Sequence, residues 1–221
     1  MFDFPKSTLF DRRIPKTKFY KHLQVNNKLE QMFIKEIDKI VWKYKLSPDT
    51  LNIDSGNYIS EIELLEVRLR QEKVSHNIIE QIDREIPYHI VFIINYANKY
   101  QLWVSYKEQH KNREGKFKVD TYFKTDWIKQ ENLELKIEGL NLDQVYESFI
   151  QQIGKDQIIV DKNEGLKQAV EQSKKRDKLK RKIHSLEKKI AKEKQFKKQV
   201  SMMSELRQLK AQLDGEQHRK D

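Results

Sequence analysis

In the last quarter of the sequence, a stretch of 48 residues, Leu166–Leu213, contains neither proline nor glycine. Proline and glycine are the residues that most often interrupt a helix, so the stretch is predicted to be helical. The net charge of +10 is also confined to this region. Residues 1–161 hold 25 basic and 25 acidic side chains, whereas residues 162–221 hold 19 basic and 9 acidic ones. We therefore predict a neutral globular body, residues 1–161, followed by a basic coiled-coil tail, residues 162–221.

The body has the composition of a folded domain. All three tryptophans lie before residue 130, and about 160 residues are enough to bury a core. The chain has no cysteine, which excludes disulfides and thiolate metal sites. The longest apolar run, Ile90–Ile94, is too short to cross a bilayer, and the N-terminus has no signal-peptide pattern. These features predict a cytoplasmic protein without a membrane partner.

The body is predicted to have an α+β fold, with a mixed β-sheet and flanking helices. Apolar residues at three- and four-residue steps predict a helix from Asn26 or Asn27 to about Leu46, which Pro48 ends. A phase slip at Leu64-Leu65 indicates a bulge in the first strand. The predicted strands are 62–69, 88–94, 100–106, 117–123 and 133–137. Two more helices are predicted, one over 76–84 with Ser75 as its N-cap and one from Asn141, where Gln144 completes a capping-box-like pair. One strand–helix–strand unit should be parallel and be followed by antiparallel hairpins.

Residues 2–25 are predicted to be an irregular segment that combines basic and aromatic side chains around Pro5 and Pro15. Such a segment can be an arm whose aromatic rings pack on the body, or an arm that contacts nucleic acid. The neutral charge of the body favours the first interpretation.

The tail carries a coiled-coil pattern that changes phase. Apolar residues step by four, three and four over Leu179–Ile190, but Glu193 and Lys197 stand where the pattern should continue. Either one helix of roughly 70 Å continues through a stutter, or the chain folds into a hairpin near Lys192–Lys198. The absence of glycine and proline favours one helix. The seam predicted to contact a partner consists of Leu179, Ile183, Leu186, Ile190, Leu206, Leu209 and Leu213, and Phe196, Val200 and Met203 begin its second phase.

A dense basic run overlaps this seam. Seven of the nine residues from 174 to 182 are basic, and Asp177 is the only acid among them. This density predicts contact with nucleic-acid phosphates, although a solvated coiled-coil face would have the same composition. The predicted phosphate-contacting residues are Lys174, Lys175, Arg176, Lys178, Lys180, Arg181 and Lys182.

No strong catalytic signature is present. The six histidines form no His-Glu-x-x-His motif, and no glycine-rich phosphate loop occurs, so neither a cofactor nor a metal is predicted. One weak pattern is Glu134-Leu135-Lys136 with Asp120 or Asp126 upstream, which is typical of Mg²⁺-dependent nucleases. The alternative is that Glu134 and Lys136 lie on the solvent-exposed face of a strand. Ser105-Tyr106-Lys107-Glu108, at a strand end, is a second candidate functional edge.

Several short motifs resemble a bacterial family of uncharacterised domains of about this length. They are Phe4-Pro5-Lys6, Arg13-Ile14-Pro15-Lys16 with Phe19-Tyr20, Trp42-Lys43-Tyr44-Lys45-Leu46, Ile86-Pro87-Tyr88-His89, Ser105-Tyr106-Lys107-Glu108 and Glu193-Lys194-Gln195-Phe196. The resemblance covers essentially the whole chain. It implies an accessory role beside Swi/Snf-type helicases and DNA methyltransferases, in gene clusters of the restriction and phage-defence kind.

These observations predict a non-catalytic accessory or adapter subunit of a bacterial DNA-processing complex. Its expected partners are a larger helicase or methyltransferase-type protein, DNA, and a second copy of the chain through the tail. A metal-dependent nuclease and a self-associating structural protein are the alternatives.

Overall fold

The computed structural model describes residues 2–20, 27–109, 117–155, 157–158 and 165–217. The chain divides into two compact units, Met1–Lys155 and Asp156–Asp221. The predicted boundary between residues 161 and 162 lies outside the described residues, as does Asn26. Within the described part of the chain, no helix is both long enough and apolar enough to cross a membrane.

The first unit is a β-sheet with helices on both faces, and the second is helical. The strands are β1 (Leu9–Ile14), β2 (Ile37–Leu46), β3 (Ile62–Leu69), β4 (His89–Tyr96), β5 (Lys99–Gln109), β6 (Phe117–Lys124) and β7 (Ile128–Lys129). The helices are α1 (Asn27–Glu36), α2 (Pro48–Leu51), α3 (His76–Glu85), α4 (Leu142–Gly154), α5 (Leu166–Ile190) and α6 (Phe196–Gln217). The predicted mixed sheet with flanking helices is confirmed.

The sheet has the strand order β1-β2-β3-β4-β5-β6, with β7 beside the start of β5. Only β3 and β4 run parallel, and α3 connects them, as predicted for the strand–helix–strand unit. The other neighbouring strands are antiparallel. Opposite Leu64-Leu65, β2 has one extra residue, because Trp42 pairs with Leu65 and Tyr44 pairs with Leu64. The bulge predicted in residues 62–69 is therefore in β2 instead, since β3 pairs with β4 without a shift.

Both faces of the central strands are buried. Leu65 and Phe92 belong to a core that includes Phe33 of α1 and Ile79 of α3. Alternate residues point to the opposite face, where the ring of His89 contacts the ring of Tyr146 in α4, 4.7 Å between centroids. The sheet therefore lies between α1 and α3 on one side and α4 on the other.

The prediction of a helix up to Leu46 is wrong beyond Glu36. The chain passes directly from α1 into β2, a ten-residue strand paired on both edges. Residues 37–46 are rich in β-branched and aromatic side chains, which suit a strand between two neighbours. The spacing of their apolar residues is also compatible with one face of a helix. Hydrogen bonding to the two neighbouring strands therefore decides that these residues form a strand.

Two other segments differ from their sequence-based predictions. Residues 133–137 do not form a strand, although Leu133 and Leu135 are buried in the predicted alternation. Near the N-terminus, Leu9–Ile14 is an edge strand rather than irregular chain, whereas Phe19 and Tyr20 are buried in the core as predicted for a packing arm.

Candidate nucleic-acid interface

The tail contains two helices instead of one. Helices α5 and α6 contact each other, and Lys210 Nζ lies 2.8 Å from Glu187 Oε1. Leu179, Ile183 and Leu186 are buried on α5, and Ile190 is half-buried. The half-buried apolar residues of α6 are Met202, Leu206, Leu209 and Leu213. The apolar stripes of the two helices therefore face each other, and the favoured prediction of a single long helix is wrong.

The break between the helices follows from the phase change in the seam. A continued α5 would place Glu193 and Lys197 at seam positions, so a single helix would lose its apolar stripe. Instead, Glu193 Oε1 accepts a hydrogen bond from the backbone N–H of Gln195 at 2.9 Å, immediately before α6 begins. A side-chain acceptor of this kind satisfies a donor at a helix start, so the turn needs neither glycine nor proline.

Phe196, Val200 and Met203 do not join the seam, although they share the predicted second phase. Their relative exposures are 79%, 50% and 47%. They lie beside the seam face of α6, because the mean direction of these three residues differs by about 100–120° from that of Met202, Leu206, Leu209 and Leu213.

Most of the predicted phosphate-contacting side chains are exposed on α5. Six of the seven bases are exposed, and Arg176 is half-buried. Among the described residues, no acidic side chain forms an ion pair with Lys175, Lys178 or Arg181. Arg176 takes a seam position of the heptad, three residues before Leu179, and its Nη2 donates to the carbonyl oxygen of Gln157 at 3.1 Å. Its guanidinium therefore has a contact within the second compact unit.

The basic surface is longer than the run seen in the sequence. Lys188, Lys189 and Lys192 are exposed at the end of α5 and in the turn that follows it. Lys188, Lys189 and Lys192 lie two heptads after Lys174, Lys175 and Lys178, respectively. The corresponding positions of the heptad between them are occupied by Arg181, Lys182 and Ser185. We call these nine residues the basic stripe. A test for a seven-residue repeat of charge, rather than local charge density, would have found its second half.

The far end of the stripe borders a cleft. Its volume is about 380 Å³, and it is lined by Ser185, Lys188, Lys189, Lys192, Glu193 and Met202. The cleft is open to solvent and lies between α5, the turn and α6, with three lysines and one serine among its lining residues. Glu193 is the only acid in this lining, and one of its oxygens already accepts the Gln195 N–H.

In the sheet unit, Lys107 of the second candidate functional edge is buried. Lys107 Nζ lies 2.7 Å from Asp83 Oδ1 and donates to the carbonyl oxygen of Tyr88 at 3.1 Å. Tyr122 Oη donates to Asp83 Oδ2 at 2.8 Å. Burial and the nearby Asp83 carboxylate raise the pKa of Tyr122. The cluster joins α3 to β5 and β6, and the side chains of its ion pair are buried.

His89 and Tyr146 occupy the adjoining interior. Tyr146 Oη donates to the carbonyl oxygen of Ser105 at 2.8 Å, and its burial raises its pKa. Burial, followed by the positive charge of Lys107, lowers the pKa of His89 to about 3. His89 is therefore a neutral core side chain at physiological pH.

A buried carboxyl group lies at the same end of the sheet. Glu63 pairs with Lys45 on β2 and Ile90 on β4, and neither of its carboxyl oxygens has a hydrogen bond within the described residues. Burial, and then the neighbouring Glu61 carboxyl, raise the pKa of Glu63 to about 10. Glu61 itself is paired with Lys45 at 2.6 Å. Glu63 is thus protonated at neutral pH.

The residues of the nuclease alternative do not lie on neighbouring strands. Asp120 is on β6 and Asp126 follows it, whereas Glu134 and Lys136 are exposed on the non-strand segment that follows β7. The backbone of Lys136 is tied to α4 by two hydrogen bonds with Gln152, of 2.9 and 2.8 Å. No group of three His, Asp or Glu side chains suited to a metal ion occurs within the described ranges.

Comparison with known families gives one match. The model of a domain of unknown function (DUF4391) matches residues 2–213, which include both the sheet unit and the two tail helices. No curated protein and no solved structure matches the chain at a significant level.

Proposed function

We propose that this chain, which belongs to the DUF4391 family, is a non-catalytic accessory subunit of a bacterial DNA-processing complex of the restriction or phage-defence kind. In this proposal α5 contacts the nucleic-acid backbone, and a larger helicase or methyltransferase-type protein is the partner. The gene-cluster setting and the partner class come from the family resemblance described above.

The observation that carries the proposal is the separation of the two faces of α5. Its apolar residues Leu179, Ile183 and Leu186 are buried, and Lys174, Lys175, Lys178, Lys180, Arg181 and Lys182 are exposed. A helix that packs through its apolar face can present the cations of its exposed face to a polyanion without unfolding. Displacement of counterions from the phosphates would then favour binding.

The polar side chains of the sheet unit support a structural role for the body. Lys107 and Asp83 neutralise each other in the interior, and His89 is neutral and buried. Leu179, Ile183 and Leu186 are buried within the tail. Ile190, Leu206, Leu209 and Leu213 are half-buried, so this part of the seam is the surface proposed to contact the partner. A pull-down with the full-length chain as bait would identify that partner.

The nucleic-acid role is tested by charge reversal in the full-length chain. Replacement of Lys174, Lys175, Arg181 and Lys182 by glutamate should weaken binding to a labelled 20-base-pair duplex by at least about tenfold and flatten the salt dependence. The control replaces Lys35, Lys194, Lys197 and Lys198, which are exposed and lie outside the stripe, and has the same net charge. Equal losses in the two variants, or no loss in either, would reject a specific role for α5.

A further inference from the structure

We propose that the basic stripe binds the sugar-phosphate backbone of double-stranded DNA without reading its sequence, and that the binding surface extends to Lys192. This inference rests on the proposed nucleic-acid role of α5 and specifies its ligand. It adds Ser185, Lys188, Lys189 and Lys192 to the residues found from sequence.

The stripe consists of two rows of cations. One row is Lys174, Arg181 and Lys188, and the other is Lys175, Lys182 and Lys189. Residues seven apart in a helix differ by only about 20° in direction, whereas adjacent residues differ by about 100°. The rows therefore run side by side along α5, with Lys178 and Ser185 between them and Lys192 in the turn that follows the helix.

Two parallel rows fit a duplex better than a single strand. At the reach of extended lysine side chains, a 100° separation places the rows roughly 10–15 Å apart. The major groove of B-form DNA is about 12 Å wide, admits a helix and is bordered by a row of phosphates on each side. A single strand offers only one row of phosphates. The helical part of the stripe, from residue 174 to residue 189, spans roughly 22 Å, which corresponds to about six or seven base pairs.

The side chains of α5 also argue against single-strand binding and against base recognition. Sites for single strands stack bases on aromatic rings, and α5 contains no Phe, Tyr or Trp. It has no asparagine, and its two glutamines, Gln168 and Gln172, precede the stripe. The small polar residue in the middle of the stripe, Ser185, does not specify one base.

The cleft supports the extension toward Lys192. Lys188, Lys189 and Lys192 all line this open cleft, and Glu193 is the acid among its lining residues. Three basic residues of one unit therefore border a space large enough for a phosphate group. The deep, narrow major groove of A-form RNA does not admit a helix, so we expect duplex DNA to bind better than duplex RNA.

The experiment compares two triple variants of the full-length chain. The stripe variant carries K188E, K189E and K192E, and the control carries K194E, K197E and K198E, which change the same charge outside the stripe. A neutral version, K188Q, K189Q and K192Q, tests whether a loss of binding results from unfolding of α5. Circular dichroism follows the helix content of each variant. The probes are duplex DNA of 20 base pairs with two unrelated sequences, duplex RNA, and single-stranded DNA, each at several salt concentrations.

We expect the stripe variant to lose at least about tenfold in affinity for either DNA sequence, with the salt slope reduced by about 2.7 for three lost contacts. The control should bind like the unchanged protein. If only the 174/175/181/182 variant loses affinity, the proposed function is supported and the extension to Lys192 is wrong. If single-stranded DNA or duplex RNA binds as tightly as duplex DNA, the choice of ligand is wrong. If neither variant differs from its control, the proposed function itself fails.

Discussion

Lys107 Nζ lies 2.7 Å from Asp83 Oδ1, and the exposures of the two side chains are 6% and 0%. The pair links the end of α3 to β5 in the interior of the sheet unit. A buried ion pair of this kind costs desolvation energy when it forms, but the loss of one partner leaves an uncompensated charge.

Lys107→Met is therefore expected to lower the free energy of unfolding by about 3–5 kcal/mol. Urea unfolding followed by tryptophan fluorescence measures this, because Trp103 lies in the adjoining core. The double variant Lys107→Met with Asp83→Asn should recover part of the loss. A single variant as stable as the unchanged protein would show that the pair contributes little.

The raised pKa of the buried Glu63 carboxyl should make the stability of the protein depend on pH. Its pKa is raised to about 10 in the folded chain, from 4.5 for an ordinary glutamate, so unfolding between these values releases a proton. The free energy of unfolding should consequently fall as the pH rises through this window, by up to about 1.4 kcal/mol per pH unit. Glu63→Gln removes the titrating group and should flatten the curve.

The matched control for Glu63 is Glu134→Gln, since Glu134 is exposed. Chemical unfolding at pH values from 5 to 9 gives all three curves. Parallel curves for Glu63→Gln and the unchanged protein would contradict a raised pKa in the folded state.

Asp143 holds the loop before β3 against α4. Its carboxylate accepts the backbone N–H groups of Asn57 at 2.7 Å and Ile59 at 2.9 Å, and a side chain on Gly56 would collide with it. Asp143→Ala leaves these donors without their acceptor and should cost about 2 kcal/mol. Hydrogen exchange at Asn57 and Ile59 should accelerate, whereas the control Gln151→Ala, exposed on the same helix, should change neither quantity.

The packing of the tail predicts unequal effects for two large apolar residues. Leu186 is 9% exposed on α5, and Phe196 is 79% exposed on α6. Leu186→Ala should lower the stability of the helix pair by about 2 kcal/mol, and Phe196→Ala should change it by less than about 0.5 kcal/mol. Thermal unfolding of the tail helices by circular dichroism compares the two. A larger effect at Phe196 would mean that its predicted place in the seam is correct.

Local sequence patterns predicted the contacts at a helix start correctly where those contacts involve only neighbouring residues. Asn141 precedes α4, and its Oδ1 accepts the Gln144 N–H at 3.0 Å, as expected from the capping pattern. Ser75 precedes α3 as predicted, but its hydroxyl donates to Glu36 Oε1 at 2.7 Å. Glu36 is far from Ser75 in sequence, so no local pattern contains that contact.

The sequence predicted only part of the candidate interface, because local charge density does not show which face of a helix is exposed. Charge density identified Lys174–Lys182, because seven bases in nine residues are visible without a structure. Density alone did not show that Arg176 faces Gln157, nor that Lys188, Lys189 and Lys192 extend the same face. Those points depend on which side of α5 is buried.

The sequence by itself determined the division into a neutral mixed-sheet body and a basic helical tail, because charge, aromatic content and apolar periodicity are properties of short segments. The tertiary structure decided the state of residues 37–46 and the break at residues 191–195. In both places the local pattern allowed two outcomes: a helix or a strand at Ile37–Leu46, and one helix or two in the tail. Strand partners on both edges of β2 settled the first, and the packing of α6 against α5 settled the second.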